Sequence, residues 1–504
     1  MEFQSPFSVI IAFLVFLFFF LFQLVKVMKR SSKPKLPPGP WKLPFIGNML
    51  SMISSELSQE ILRNLARKYG PLMHLQLGEI SAIVVSSTQV ANEIFKNDVS
   101  FANRPEILLA KIVLYNSTDI GFAAYGDYWR QMRKICTLEL LSTKKVQSFA
   151  TIREQVARGV VDSIRESSGF PIDLTEIIFI STNTVTSTAA FGEKYKDQEE
   201  LLRLLKEMGE TASGFDVADL FPSYKILHVL TGMKPKLEKL HHKLDKILND
   251  IINMHEENRA GLKSRIGDAG EEDLVDVMLR LKVSGDLEFP ITSENIKAII
   301  LDVFAAGTDT SSSTVEWAMS EMVRNPQVMA KAQAEVREVL KGKEVVNETD
   351  FQRLNYLKLV IKETLRLHPP IPLLLPRECR ERCEINGYMI PVKTKVFINA
   401  WALGRDPEFW IDAENFVPER FENSHLDFTG SSCEYIPFGA GRRICPGRTF
   451  GLANVEFLLV NLLYHFDWEL PNGMEHGEVD MSVNIKTGGR KKNSLCLVPI
   501  PRLE

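Results

Sequence analysis

Phe438-Gly439-Ala440-Gly441-Arg442-Arg443-Ile444-Cys445-Pro446-Gly447 sets one cysteine among glycines, cations and an aromatic ring. A thiolate that ligates a metal must ionise easily and stay shielded. Pro446 suits the first position of a helix, where no N–H is needed and φ is already set, and the run that follows predicts a helix from Pro446 to about Phe466. The N-terminus of that helix would place partial positive charge beside the sulfur and lower its pKa. Gly439, Gly441 and Gly447 allow tight turns and a close backbone approach to a flat macrocycle. Arg443 would offer a cation to a propionate of that macrocycle, and Phe438 would cover the sulfur side. These residue types suit Cys445 as the axial ligand of a haem iron, whose thiolate donates electron density and favours O–O cleavage. The plain alternative is a glycine-rich turn around a buried structural cysteine.

Several elements must position that loop. Tyr356 to Leu367 carries apolar residues at helical spacing, with Glu363 and Arg366 three apart so that their side chains can meet. Such an E-x-x-R pair is common on any helix, so by itself it decides nothing. A longer helix starts at Pro290-Ile291-Thr292-Ser293-Glu294, with a Thr or Ser cap and an early acid. It runs to about Arg324, before Asn325-Pro326, which is roughly 48 Å at the rise of an α-helix. Its centre, Ala305-Ala306-Gly307-Thr308-Asp309-Thr310-Ser311-Ser312-Ser313-Thr314, is rich in poor helix formers. Such a local conflict marks either a functional site or a hydroxyl-rich face bonding back to the preceding turn. Strand-like patterns lie near 72–88 and 380–400, and helical patterns dominate after residue 130. The fold class expected is mainly α with small β-sheets.

Taken together these motifs resemble the cytochrome P-450 superfamily of haem-thiolate monooxygenases. The cysteine loop, Glu363-x-x-Arg366 and Pro418-Glu419-Arg420-Phe421 stand in that family's order and near its spacing, and the Ala306-Gly307-Thr308-Asp309-Thr310 stretch resembles its A/G-G-x-D/E-T signature. Trp129-Arg130-Gln131-Met132-Arg133 matches its W-x-x-x-R, and Pro376-Arg377 a further cofactor-edge arginine. The resemblance implies haem b held at its propionates by Trp129, Arg133, Arg377 and Arg443. It implies a buried Glu363/Arg366/Arg420 cluster locking the loop, and Asp309 and Thr310 delivering protons for O2 activation beside a local kink or bulge at Gly307. It implies electrons from NADPH through an NADPH-haemoprotein reductase, because no flavin or nicotinamide domain is visible. Arg130, Arg133, Lys134, Arg442, Arg443 and Arg448 could face that partner, bind propionates, or simply be solvated.

Tyr125 to Lys134, Ile361 to Pro370 and Asn399 to Pro407 resemble plant A-type members of family 71, and the resemblance covers roughly residues 36–500. Members of that group oxidise terpenes, sesquiterpenes and terpenoid indole alkaloids. The implied substrate wall includes Val303, Phe304, Ala306, Ile371, Leu373, Leu374, Leu375 and Ile485, an apolar lining suited to a hydrophobic small molecule. Val483 to Gly489 is more polar and glycine-rich than usual there, and Lys486 could meet an acidic or carbonyl-bearing substrate. Oxidative ring formation or coupling on the same scaffold, a reductase-independent isomerase or dehydratase, and a haem sensor or carrier are the rival readings. Thr310 and the regular cysteine loop argue against the isomerase, and Asp309-Thr310 against the sensor.

The 504 residues carry a net charge of −4, which gives no sign of nucleic-acid binding. Length alone suggests two or three domains, whereas the family folds such a chain as one catalytic domain, here residues 41–504, after a membrane anchor and basic flank over 1–30 and a Pro-rich hinge over 31–40. Phe7 to Val25 is almost wholly apolar and spans roughly 28 Å, close to a bilayer core. Lys26, Lys29, Arg30, Lys33 and Lys35 follow it and no Lys or Arg precedes it. The expectation is a single-pass anchor with the domain facing the cytosol, as in members resident in the endoplasmic reticulum membrane.

Overall fold

The structure, a computed structural model, describes residues 35–52, 56–192, 198–211, 217–262, 272–285, 287–343, 346–485 and 488–502. The apolar segment Phe7 to Val25, its basic flank and Lys486 lie outside them. Among the described residues no helix is long and apolar enough to cross a membrane.

Five helices position the site: α1 (Asp127–Ile135), α2 (Leu174–Phe191), α3 (Ser293–Arg324), α4 (Tyr356–Leu367) and α5 (Arg448–His465). The 32-residue α3 starts as its sequence predicts. The Thr292 amide donates to Asn295 Oδ1 at 2.9 Å and the Asn295 amide to Thr292 Oγ1 at 3.2 Å, a reciprocal cap. It ends at Asn325, before Pro326 opens the next helix. Of the kink or bulge expected at Gly307, the bulge does not occur, since α3 is continuous α-helix from Ser293 to Arg324. Gly307 instead lets α3 pass close to its neighbours: a Cβ there would stand 3.0 Å from Thr186 on α2 and 3.4 Å from Phe450 on α5. The α5 helix begins at Arg448 rather than Pro446; Gly447 caps it and Pro446 lies in the turn before.

The main sheet has the order β1-β2-β4-β3, from Leu72–Leu77, Ile80–Val85, Arg377–Glu378 (β3) and Lys395–Ile398 (β4). β1 and β2 are antiparallel, with Leu72 opposite Val85. β2 runs parallel to β4, with Ala82 opposite Lys395, and both strands are largely buried, as parallel pairs require. β3 returns antiparallel with Arg377 opposite Val396, which delivers Arg377 to the site from a sheet edge. A hairpin, Cys383–Ile385 with Tyr388–Ile390, turns at Asn386-Gly387, whose φ values of 49° and 74° are those of a type I′ turn.

Two large apolar clusters divide α3. Its N-terminal half packs with α2 and with residues such as Leu109, Leu201 and Leu244. Its C-terminal half packs with α4 and α5. Phe304, expected on the substrate wall, is buried in the first cluster, stacked on Phe191 at 5.6 Å, and lines a small cavity with Thr308 and Asp309.

Candidate active site

The cysteine loop is closed by its own backbone. The Cys445 amide donates to the Phe438 carbonyl at 2.9 Å, and Gly439 and Gly441 turn the chain with φ of 71° and 66°. Gly441 also lies against Asp98, which takes the Arg442 amide at 2.8 Å; any side chain at Gly441 would run into that carboxylate. The Cys445 side chain is half-buried. Burial pushes its thiol up, and the Gly447 amide, Arg133 and Arg448 pull it down. The helix-terminal lowering expected from sequence is thus present but outweighed by burial.

Behind the loop the three charged residues predicted to cluster do so. Arg366 donates Nε and Nη2 to the two oxygens of Glu363 at 2.7 and 2.8 Å, with both side chains fully buried. Arg420 Nε and the Val417 amide each reach Glu363 Oε1 at 2.8 Å. Arg366 Nη1 further holds the carbonyls of Gly404 and Ala413 at 2.5 and 2.7 Å, so the buried charges are bonded from several sides. An aromatic chain joins this cluster to the loop: Trp410 meets Phe421, then Tyr435, Phe428 and Phe438 in turn. The Tyr435 hydroxyl donates to the Lys362 carbonyl, one residue from Glu363.

Buried arginines line the loop's other flank. Arg443 donates to the carbonyls of Ala102, Ile120 and Ala123 and lies over the Trp129 ring at 4.2 Å. Trp129 Nε1 donates to the Ile120 carbonyl at 3.0 Å. Arg133 donates to the Ile444 carbonyl, next to Cys445. Arg377 bonds Asp98 at 2.7 Å and the Ala440 carbonyl at 2.6 Å. Arg104, which no motif flagged, holds the carbonyls of Gly121, Leu375 and Pro376. Arg130, Lys134 and Arg442 turn outward instead, which separates the basic clusters of the sequence into an inner and an outer set.

Across the site, α3 is buried at Asn295–Leu301 and again from Ser311 to Val323, but opens between them, with Ala306 exposed and Val303, Asp309 and Thr310 half-buried. Phe450 and Gly451 of α5 pack against Gly307 and Ser311, which brings this window beside the cysteine loop. Thr310 Oγ1 donates to the Ala306 carbonyl at 2.6 Å. Asp309 pairs with Arg490; burial pushes its carboxyl up, while Arg490 and Lys206 pull it down.

The family model for cytochrome P450 matches residues 37–492. The chain belongs to the cytochrome P450 family. It is 57% identical to premnaspirodiene oxygenase of Hyoscyamus muticus, over 98% of each chain. It is 55% identical to cytochrome P450 71D8 of Glycine max, over 99% of each. A zebra fish cytochrome P450 solved with abiraterone shares the fold with a TM-score of 0.75, at 22% identity, over 88% of this chain and 99% of that one. The protein is therefore an oxidoreductase, a monooxygenase, and its family implies a haem iron cofactor, O2, a redox partner and a hydrophobic substrate.

The residues fit a haem. Burial and mutual repulsion push Arg104 well down, and Arg443 to about 9. A dianionic edge would relieve that excess of buried positive charge. Cys445 is the thiol beside it, and an iron cation would reverse the upward push on that sulfur.

The P450's substrate-side residues are less defined. Ile371 is 39% and Ile485 53% exposed. Leu374 adopts φ of 52° and packs on the apolar cluster of the main sheet, while Val303 packs on the first large cluster. The glycines near Ile485 have a packing role: Gly488 abuts Gln59, and Gly489 abuts the Pro370 carbonyl while its own carbonyl takes Trp317 Nε1 at 2.8 Å. Sequence reasoning missed Asp98, Arg104, Asp119 and Asp302. The one available signal was Asp302 itself, an acid inside the apolar run Ile299-Ile300-Leu301-Asp302-Val303-Phe304.

Proposed function

We propose that the protein is an NADPH- and O2-dependent haem-thiolate monooxygenase that hydroxylates or otherwise oxidises a hydrophobic plant metabolite of terpenoid type. The observation that carries this reading is the Cys445 loop, closed by backbone, flanked by buried arginines and set beside the open window of α3. The identity to premnaspirodiene oxygenase supports the substrate class. When bound, haem supplies oxygen activation at an iron made electron-rich by the thiolate. Cys445 would hold the iron, and Arg133, Arg377, Arg443 and Trp129 the propionate edge.

Asp309 would serve as the proton reservoir, since its burial favours the protonated acid at less acidic pH than an exposed carboxyl. Thr310, whose hydroxyl rests on the Ala306 carbonyl, would pass the proton on by rotating away from it. Val303, Ala306, Ile371, Leu374 and Ile485 would orient the substrate by shape and exclude water. Arg130, Lys134 and Arg442 stand exposed around the cysteine loop and suit an acidic face on the reductase. Residues 1–30 would anchor the chain in the endoplasmic reticulum membrane with residues 41–504 in the cytosol, joined by the hinge at 31–40.

The test is co-expression of the full chain with a plant reductase in microsomes, fed a panel of terpene hydrocarbons and terpenoid indole alkaloids. NADPH-dependent gain of one oxygen, or loss of two hydrogens, on a terpenoid is the expected result. Turnover without NADPH would replace this reading with a reductase-independent isomerase. An intact reduced-CO thiolate spectrum with no product across the panel would reject the substrate class.

A further inference from the structure

The turn Asp119–Ala123 connects α3 to the arginines of the cofactor edge. Its amides point one way. Ile120 N and Gly121 N donate to Asp302 Oδ2 at 2.7 and 3.2 Å, and Phe122 N donates to Asp119 Oδ2 at 2.7 Å. Three of its carbonyls meet side chains of the cofactor edge. Ile120 O accepts from Trp129 Nε1 at 3.0 Å and Arg443 Nη1 at 3.2 Å, Gly121 O from Arg104 Nε at 3.0 Å, and Ala123 O from Arg443 Nη2 at 2.6 Å. The turn follows Tyr115, Asn116 and Ser117, three consecutive non-glycine residues with φ of 49°, 59° and 56°. Such backbone is costly and persists only where its surroundings over-determine it.

Asp119 is fully buried, and its Oδ1 has no donor among the described groups. The Asp302 carboxyl lies against it. A side chain on Gly121 would stand 3.1 Å from Asp119 Oδ2 and 3.5 Å from Asp302 Oδ1, so the glycine leaves room for both acids. Two touching carboxyl groups do not both ionise. A proton held between them would give the pair a donor of its own.

We propose that Asp119 and Asp302 form a proton-sharing carboxyl pair that positions the cofactor edge, holding the turn by its amides and thereby aiming the carbonyls that fix Arg443, Arg104 and Trp129. Neither acid touches reacting atoms; both are positioning residues. The proposal rests on the reading of these arginines as the propionate-holding set.

Burial pushes Asp302 well above the carboxylate range, with Asp119 adding to it, and burial pushes Asp119 to about 6. Arg443 and the amides oppose the rise of Asp119. Tyr128 and Cys136 also face the pair from the adjoining helix, and burial keeps both neutral, Cys136 at about 12. Arg104 also faces Asp119. The fold favours the protonated pair. Its contribution is therefore complete below the ordinary carboxyl range and is lost as pH rises through the elevated folded-state values.

The test uses the full-length holoprotein in detergent. Haem transfer to excess apomyoglobin is followed from about pH 6 to about pH 9, across the range where a raised carboxyl would titrate, together with hydrogen exchange of residues 118–125. Wild type should release haem faster as pH rises. Asp302→Asn keeps an acceptor for the turn amides and gives Asp119 a permanent donor, so it should hold haem and flatten the profile. Asp302→Ala should speed release roughly tenfold or more and deprotect the turn amides. An unaltered pH profile in Asp302→Asn, or unchanged exchange in Asp302→Ala, overturns the proposal; if the alanine variant does not fold, the asparagine profile decides. Arg443→Met separates the two readings: haem held as tightly as in wild type would overturn the arginine assignment, while the exchange data would still judge the acid pair.

Discussion

The cysteine loop and the proposed substrate wall differ in what defines them. Around Cys445 and Glu363 key arginines are held by several directed bonds: Arg366 by two carboxylate oxygens and three carbonyls, Arg443 by three carbonyls and a ring face. Ile371 and Ile485 have no such constraints and stand partly open. Directed bonds demand particular residue types at particular spacings. An apolar wall demands only shape, which many residue combinations satisfy. One side of the molecule can therefore keep a common chemistry while the other is free to set the substrate.

The sharpest way to break that contrast is Cys445→Ser. The variant should fold and lose the reduced-CO thiolate band completely; a retained band would mean another residue holds the iron. Next in size is Glu363→Ala, which strands Arg366 and Arg420 as uncompensated buried charges. A loss of about 3–5 kcal/mol and poor haem incorporation are expected, read by thermal unfolding and haem content. On the oxygen side, Asp309→Asn should leave haem content unchanged while product per NADPH consumed falls roughly tenfold or more. Because the Asp309 carboxyl is raised, wild-type coupling should decline as pH rises through its elevated value, and the asparagine variant should lack that decline. The smallest effect belongs to Ile485→Ala: stability within about 0.5 kcal/mol of wild type, with a changed ratio of products. A stability loss as large as that of Glu363→Ala would erase the distinction between the two regions.

Much of the frame was legible because its signals are local. Thr292 and Asn295 cap α3 where the sequence starts it, α4 spans the predicted Tyr356–Leu367, and β1, β2 and β4 lie in the two strand-rich stretches. Gly307 read as a kink or bulge because the neighbours its missing side chain admits, Thr186 and Phe450, come from distant parts of the chain. Pro446 suited a first helical position, but Gly447 took the capping role, with its amide turned to the cysteine sulfur.

By itself the sequence determined the cysteine loop, the Glu363–Arg366 pair and the helices that carry them, since each depends on residue types at short spacing; that Arg420 closes on Glu363 came from the resemblance and is seen in the fold. Only the tertiary structure decided that Asp98 and Arg104 join the arginine edge, that Asp119 meets Asp302, and that Asp309 pairs with Arg490. Those contacts link side chains far apart along the chain, and a buried charge is tolerable only beside the partner that folding brings to it.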